Sequence, residues 1–175
     1  FIYIAGDNTT RQIDIVTGAE ELLIPDPKTR YGLLVNATRT HATNGMPTFS
    51  VFHPADGTVS RRTRLPGCEP YFTPDGRHGY WVADVGGPIR RLDLSDYTTA
   101  VVLDRDARWL PKGHGYLYYP MASADGRLLA FGASRNQHGH FDKNFDVFVA
   151  PLDPERFEVN GTAVRYSFSP GPDRF

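Results

Sequence analysis

The chain has 175 residues, of which 40% are apolar and 13% aromatic, so it is long enough to bury a core as one domain. Its net charge is −1 with acidic and basic residues interspersed, which gives no electrostatic footprint for nucleic acid or an anionic membrane surface. No run of 18 apolar residues occurs, so no membrane-spanning helix is expected.

The first third of the chain has a weak strand pattern. Its strands are assigned to small antiparallel units, in which the strands are labelled a to d in chain order. Three short segments predict strands b, c and d of one unit: 1–5, 11–15 and 21–24. Three more predict strands b, c and d of the next: 31–35, 48–52 and 60–64. No strand a is evident in residues 25–28, because two prolines there oppose a central strand.

The remainder of the chain repeats one pattern twice, about fifty residues apart. Strands a to d of the first copy are predicted at 69–73, 79–83, 89–94 and 100–103. Those of the second copy are predicted at 117–121, 128–131, 146–150 and 163–167. An Asp-Gly-Arg turn joins strands a and b in each copy, as expected for a β-hairpin.

Self-similarity at this period is typical of the four-stranded blades of a β-propeller. The sequence therefore predicts an all-β fold, a partial propeller of about three and a half antiparallel blades. Degenerate blades occupy residues 1–66 and clear blades occupy 67–104 and 115–168. Neither end reads as an ordinary terminus, so the single domain at 1–175 is interpreted as a segment of a larger propeller or chain.

The repeated motif resembles the WD40-like, TolB-type β-propeller repeat family. The resemblance is carried by Thr-Pro-Asp-Gly-Arg at 73–77, by Ser-Ala-Asp-Gly-Arg at 123–127 and by the strand at 146–153, which ends in Asp. It implies the propeller architecture and a periplasmic or extracellular bacterial protein. Such repeats occur in periplasmic scaffold proteins, propeller lids of serine peptidases, oligogalacturonate-lyase-like enzymes and larger redox complexes, so the resemblance does not select one activity.

The two Asp-Gly-Arg turns are interpreted as structural and not as a catalytic carboxylate set. In such a turn Asp accepts backbone N–H bonds, Gly takes the position with positive φ, and Arg covers the turn. The residues concerned are Asp75, Gly76, Arg77, Asp125, Gly126 and Arg127.

Chemistry is expected at the opposite rim, where the b–c and d–a connections emerge. This places His41 in a b–c loop at 40–44, Asp84 in the next b–c loop, and Arg135 in a long one at 132–145. The candidates for ligand or partner binding are His41, Asp84, Trp109 and Arg135. Trp109 is the best exposed aromatic residue for stacking on a sugar, whereas Trp81 is assigned to a blade core.

A divalent metal site is the second hypothesis for this rim. His138 and His140 form a His-x-His pair, with Asp142 next to them and His114 in the d–a connection. These nitrogen and oxygen ligands suit Zn²⁺, Mn²⁺ or Fe²⁺. Against it, a His-x-His pair in a polar loop is usually solvated, and no further metal signature accompanies it. The leading interpretation therefore includes no cofactor.

Three functions remain open from the sequence. The leading one is a non-catalytic binding or scaffolding module of a secreted or periplasmic protein, whose partner is another protein or the remaining propeller blades, with carbohydrate as an alternative ligand. The second is a metal-assisted enzyme on polysaccharides, in which Arg135 neutralises a substrate carboxylate. The third is a propeller domain of a larger redox or hydrolytic protein. No nucleic-acid partner is expected.

Overall fold

All helices and strands that the structure describes in this chain are β-strands. The computed structural model describes residues 2–7, 9–24, 34–43, 48–56, 58–135 and 145–167. Fifteen strands lie in these ranges, and no helix in them could cross a membrane. The predicted all-β class is confirmed. The chain divides into two compact units, residues 1–65 and 66–175.

The first unit contains a three-stranded and a four-stranded antiparallel sheet. The three-stranded sheet consists of β1 (Ile2–Ile4), β2 (Thr10–Ile13) and β3 (Glu20–Ile24), in that order. The four-stranded sheet consists of β4 (Leu34–Val35), β5 (His41–Thr43), β6 (Thr48–His53) and β7 (Thr58–Arg64), also in chain order. A small apolar cluster around Ala42 and Phe52 lies on the second sheet.

The strand assignment predicted for this second sheet is wrong at its start. The segment predicted as strand b contains β4, which is strand a of its sheet, and strand b is β5. His41 therefore opens a strand after the a–b turn and does not lie in a b–c loop. A strand of three residues is too short to show the alternation of apolar and polar residues from which strands are predicted. The segment that forms β5 was therefore assigned to a loop.

The second unit contains two four-stranded antiparallel sheets, again meanders in chain order. The first is β8 (Cys68–Phe72), β9 (His78–Val82), β10 (Ile89–Asp93) and β11 (Thr99–Leu103). The second is β12 (Tyr116–Ala122), β13 (Leu128–Ser134), β14 (Asp146–Pro151) and β15 (Val164–Arg165). All eight strands predicted here are confirmed, with bounds that differ by a few residues.

These two sheets share one apolar core. Tyr80 and Ile89 of the first sheet belong to the same buried cluster as Leu117, Phe131 and Phe148 of the second, and each is at most 1% exposed. Burying an apolar side chain of this size contributes about 1.5–3 kcal/mol, so the packing of the sheets dominates the stability of this unit. Trp81, predicted as a core residue, is 1% exposed.

One turn geometry recurs between strands a and b. The N–H of its first residue donates to the carbonyl of the sixth, and the N–H of the fourth donates to the carbonyl of the first. The turns with this pattern are residues 36–41, 73–78 and 123–128. The fourth residue has positive φ in each: 56° at Arg39, 71° at Gly76 and 68° at Gly126.

Side chains complete each of these turns. Asp75 accepts the Thr73 hydroxyl at 2.6 Å and the N–H of Arg77 at 3.0 Å, and equivalent bonds form in the turn at 123–128. The a–b and c–d turns lie at one end of each antiparallel sheet, because every strand reverses direction. In the second unit these turns form what we name the turn rim, residues 73–78, 93–98, 123–128 and 153–158. The opposite end, residues 83–88, 104–115 and 135, is named the loop rim.

Candidate functional site

The loop rim begins with a b–c loop that is held against the neighbouring sheet. The carbonyl of Gly86 accepts the N–H of Leu117, the second residue of β12, at 2.9 Å. Gly86 has a φ of 77°, and a Cβ on it would lie 2.2 Å from the ring of Tyr116. Only glycine fits there, so the loop and β12 are in direct backbone contact.

Arg105 fixes the same loop from the β11–β12 connection. Its Nε donates to the carbonyl of Gly87 at 2.7 Å, and its Nη2 donates to the carbonyls of Val85, at 2.8 Å, and of Gly87. Its Nη1 has no partner among the described residues. Asp84, a predicted binding residue, lies in this loop with an exposed side chain and a φ of 54°. The arrangement gives the rim an arginine whose guanidinium is already oriented.

A cavity of about 290 Å³ opens beside Arg105. Its lining residues are Arg105, Asp106, Gly113, Gly115, Tyr116 and Arg135. Arg135 and Asp106 are exposed, and neither makes an ion pair or side-chain hydrogen bond with the described part of the chain. Tyr116 is 7% exposed, and burial raises the pKa of its phenol, which keeps the hydroxyl protonated at neutral pH. We name this space the rim cavity.

His114 lies next to the rim cavity but is buried. Its Nε2 is 3.8 Å from Oδ2 of Asp146, and its ring meets Phe148 edge-on with 5.4 Å between centroids. Its Nδ1 is buried and forms no hydrogen bond with the described residues. Asp146 also accepts a hydrogen bond from Nη2 of Arg165 at 2.5 Å. This carboxylate is therefore shared between an imidazole and a guanidinium at the start of β14.

Trp109 is less available than the sequence suggests. It is half-buried and packs against the core cluster of the second unit, while its carbonyl accepts the N–H of Ala163 at 2.9 Å. The guanidinium of Arg108 lies 4.0 Å from its ring, a cation–π contact that occupies one face. Stacking of a sugar on Trp109 would have to compete with these contacts.

The structure tests only part of the predicted metal set. His138, His140 and Asp142 lie outside the described residues. Within the described residues no group of three or more His, Cys, Asp or Glu side chains is arranged to hold a metal ion. His114 is the one predicted ligand whose surroundings are defined, and its Nε2 lies 3.8 Å from Oδ2 of Asp146.

His41 does not belong to this rim. It follows the a–b turn of the first unit, where its Nδ1 is 3.0 Å from the Thr40 hydroxyl. Burial, with a further contribution from Arg61, lowers its pKa. The prediction of His41 as a binding residue depended on its lying in a b–c loop, and the structure does not place it there.

The turn rim has a polar cluster of its own. Nε2 of His78 is 3.7 Å from Oδ2 of Asp93, and its ring centroid is 4.2 Å from that of Phe157. Burial and the nearby Arg91 lower the pKa of His78. The hydroxyl of Tyr80 is buried without a hydrogen-bond partner, and burial raises its pKa. These groups lie beneath the turns, whose carboxylates already accept hydrogen bonds from their own backbone.

Of the six residues that line the rim cavity, the sequence predicted only Arg135 as a site residue. Arg105 gave no motif because it follows a strand in a charged stretch, and Tyr116 gave none because it directly precedes the strand predicted at 117–121. A detectable signal was the Gly-Gly pair at 86–87, since adjacent glycines often mark close approach of another chain segment.

Comparison with solved structures identifies the fold. TolB from Acinetobacter baumannii matches with a TM-score of 0.63 and 19% identity over 94% of this chain and 39% of that one. Kuenenia stuttgartiensis hydrazine synthase matches with a TM-score of 0.54 and 15% identity over 92% of this chain and 48% of that one. Porphyromonas gingivalis dipeptidyl peptidase 4 matches with a TM-score of 0.51 and 14% identity over 98% of this chain and 31% of that one.

These similarities are at the level of fold, since every identity is below one fifth. They confirm the predicted partial β-propeller and its TolB-type architecture. The chain spans less than half the length of each of these structures. No protein-family model and no curated protein sequence matches the chain.

Proposed function

We propose that this chain is a binding module, a β-propeller segment of a secreted or periplasmic bacterial protein that recognises a protein partner through the loop rim. The observation that supports this most directly is a pair of exposed charged side chains that line the rim cavity. On the loop rim, Arg135 and Asp106 are exposed and have no partner in the described part of the chain. On the turn rim, Asp75 and Asp125 are already occupied by hydrogen bonds within their own turns.

The rigidity of the loop rim also favours binding. Arg105 and Gly86 tie the b–c loop to the adjoining sheet, so this loop needs little ordering on association. Preorganisation of this kind improves affinity because less side-chain and loop entropy is lost. The secreted or periplasmic compartment rests on the resemblance of the repeats to the TolB-type family. The partner is another protein or further propeller blades of the same protein.

Site-specific photo-crosslinking tests this proposal. A photo-reactive residue placed at Arg135, on the loop rim, is compared with one placed at Arg127, on the turn rim, in the full protein in its native cell. Both positions are exposed arginines flanking the same strand, β13, which makes them a matched pair. We expect a discrete adduct from position 135 and none from position 127. Equal adducts, or none from position 135, would reject the loop rim as the binding surface.

A metal-assisted activity on polysaccharides is the second candidate. It is favoured by the buried Nδ1 of His114, which has no hydrogen-bond partner among the residues that the structure describes, beside a cavity lined by two arginines. His138, His140 and Asp142 would supply the remaining ligands. Elemental analysis of the purified protein, compared with a His138→Ala/His140→Ala variant, tests this: a stoichiometric transition metal lost in the variant supports it, and absence of metal from the wild type rejects it.

The third candidate is a propeller domain within a larger redox or hydrolytic protein. The partial coverage supports it, since the chain spans 39% of the TolB structure that it matches. Under this proposal the reactive groups lie elsewhere in the full protein. Comparing the activity of the full protein with and without residues 66–175 would distinguish a reactive domain from a binding one.

A further inference from the structure

We propose that the rim cavity is a binding site for a small oxyanionic molecule, one that presents a carboxylate or phosphate group between Arg105 and Arg135. This inference rests on the proposed binding function and names the ligand class of its surface. The cavity lies wholly within the second unit and is lined by Arg105, Asp106, Gly113, Gly115, Tyr116 and Arg135.

Arg105 has the properties of a preorganised anion ligand. Its Nε and Nη2 are bound to the carbonyls of Gly87 and Val85, which fixes the plane of the guanidinium. Nη1 remains without a partner in the described residues. Because a guanidinium is always charged and planar, fixing one edge also fixes the direction of the free donors of this cavity-lining residue. A bound oxyanion would take up donors that the described residues leave unused.

Arg135 supplies the second positive charge. Its side chain is exposed and forms neither an ion pair nor a hydrogen bond within the described ranges. It lies beside the β11–β12 connection, since a Cβ on Gly113 would be 3.9 Å from Cγ of Arg135. Gly113 has a φ of 85°, a conformation that glycine adopts without strain. The connection therefore passes directly beside this arginine.

Tyr116 contributes a neutral donor and an apolar surface. Its ring is fixed from two sides, by Gly86 and by an edge contact with Phe145 at 5.8 Å between centroids. Burial raises the pKa of the phenol, so it donates and does not repel an anion. The lining residues of the cavity include one carboxylate, that of Asp106, and two guanidinium groups, those of Arg105 and Arg135. The balance of charge therefore favours an anion over a cation.

The volume limits the size of the ligand. At about 290 Å³ the cavity is at the lower end of the range for small-molecule sites, roughly 300–1,000 Å³. A molecule with one anionic head group and a short apolar body fits this space, with the body against the Tyr116 ring. A long polymer would occupy it only through a terminal or side group.

Isothermal titration calorimetry at low ionic strength tests the inference. The probes are inorganic phosphate, succinate and, as a neutral analogue of succinate, succinamide. The variants are Arg135→Gln, which removes one guanidinium, and Tyr116→Phe, which keeps the ring and removes the hydroxyl. Arg127→Gln is the control, because it removes an exposed arginine at the other end of β13. Circular dichroism and thermal unfolding confirm that each variant is folded.

We expect phosphate or succinate to bind with a stoichiometry of one, and succinamide not to bind. Binding should weaken about tenfold or more in Arg135→Gln, as expected for the loss of a charge-assisted hydrogen bond, and less in Tyr116→Phe. Arg127→Gln should bind as the wild type does. Preference for phosphate over succinate, or the reverse, identifies which oxyanion the site selects.

Three results would overturn the inference: no binding of phosphate or succinate, unchanged affinity in Arg135→Gln, or an equal loss in Arg135→Gln and Arg127→Gln. The last would indicate nonspecific attraction to net charge. The crosslinking comparison is independent of this titration. Anion binding without a crosslinked partner would reject the partner role alone, and a crosslinked partner without anion binding would reject the anion site alone.

Discussion

Arg39 adopts, in the turn between β4 and β5, the left-handed backbone conformation that Gly76 adopts in the turn between β8 and β9. The φ angles are 56° and 71°, and the two turns share the same pair of backbone hydrogen bonds. The first unit therefore contains a third copy of the Asp-Gly-Arg turn, built without Asp and without Gly. Asn36 replaces the missing carboxylate, since its Oδ1 accepts the N–H groups of Thr40 and His41 at 2.8 and 2.9 Å.

Arg39→Gly is expected to stabilise the protein. A residue with a Cβ in the left-handed region costs about 1–2 kcal/mol, whereas glycine loses about 0.5–1 kcal/mol more backbone entropy on folding. The net expectation is a gain of roughly 0.5 kcal/mol, read from the midpoint of urea unfolding. Arg39 also pairs with Glu21 at 3.6 Å, an exposed contact that contributes little. Glu21→Gln removes that pair alone and should leave the midpoint unchanged; a large loss there would undermine the interpretation.

Gly126→Ala makes the opposite change at the equivalent position. Gly126 has a φ of 68°, and a Cβ on it would meet no atom within 4 Å. The whole effect is therefore backbone strain, and we expect a loss of about 1 kcal/mol in the free energy of unfolding. Retention of full stability would show that this turn does not require the left-handed conformation.

Gly86→Ala should be much more damaging than Gly126→Ala. The two glycines have similar positive φ, but a Cβ on Gly86 would lie 2.2 Å from the ring of Tyr116. Overpacking adds about 1–3 kcal/mol to the backbone strain, so the expected loss is about 3 kcal/mol in the free energy of unfolding. Equal losses in the two variants, measured by urea unfolding, would mean that the loop does not pack on β12 as described.

Stability should fall as the pH is lowered through the titration of His78. Burial, reinforced by Arg91 and opposed by Asp93, lowers the pKa of His78 in the folded state. In the unfolded chain the His78 imidazole becomes protonated near pH 6.5, whereas in the folded protein it stays neutral until the pH is lower. The unfolded state then binds more protons, so stability is present above about pH 6.5 and is lost toward the folded pKa.

His78→Leu should make the free energy of unfolding less dependent on pH between about 7 and 5. His53→Gln is the control, because His53 is exposed on the surface of the first unit. His41, whose pKa is also lowered by burial, contributes in the same direction and leaves a residual slope. Identical pH profiles for His78→Leu and the wild type would contradict the assigned burial of the imidazole.

A second loss of stability is expected in acid, from the turn carboxylates. The Ser123 hydroxyl and the N–H of Arg127 both donate to Asp125 and lower its pKa. The pKa of this carboxyl is lower in the folded protein than in the unfolded chain, where it is near 4. The folded state is therefore stabilised at pH values above about 4, and this stabilisation is lost as the pH falls through the folded pKa. Other aspartates with lowered pKa contribute in the same window: Asp7, Asp14, Asp56, Asp75, Asp93 and Asp153.

Asp125→Asn should therefore shallow the acid limb of a thermal stability profile between about pH 4 and pH 2. Asp106→Asn serves as the comparison, because Asp106 accepts no hydrogen bond from the described residues. A steeper acid limb in Asp125→Asn, or equal changes in the two variants, would argue against a carboxylate held by its own turn.

The fold was predictable where local chemistry and the repeat agree. The Asp-Gly dipeptides at 75–76 and 125–126 predict turns because a hairpin turn requires a residue with positive φ, which Gly adopts readily. Strands with alternating apolar residues flank both dipeptides. The turn at 36–41 escaped because its left-handed residue is Arg39, which no turn rule favours. The error at β4 and β5 followed from that omission, since without the turn β4 was assigned as strand b and β5 was assigned to a loop.

The candidate site was less predictable than the fold. The expectation that the b–c and d–a connections share a rim follows from strand order, and it correctly placed Asp84, His114 and Arg135 at one end of the second unit. The role of Arg105 depends on which carbonyls lie within reach of its guanidinium, a tertiary relationship that no sequence pattern encodes. The burial of His114 against Phe148 is likewise invisible without the packing of the sheets.

Hydrogen–deuterium exchange in the complex with the crosslinked partner tests the central claim most directly. The claim is that the loop rim of the second unit is the binding surface. We expect slower exchange on complex formation at residues 83–88 and 104–116, with unchanged exchange at the turns 73–78 and 123–128. Protection confined to those turns, or no protection on either rim, would contradict it.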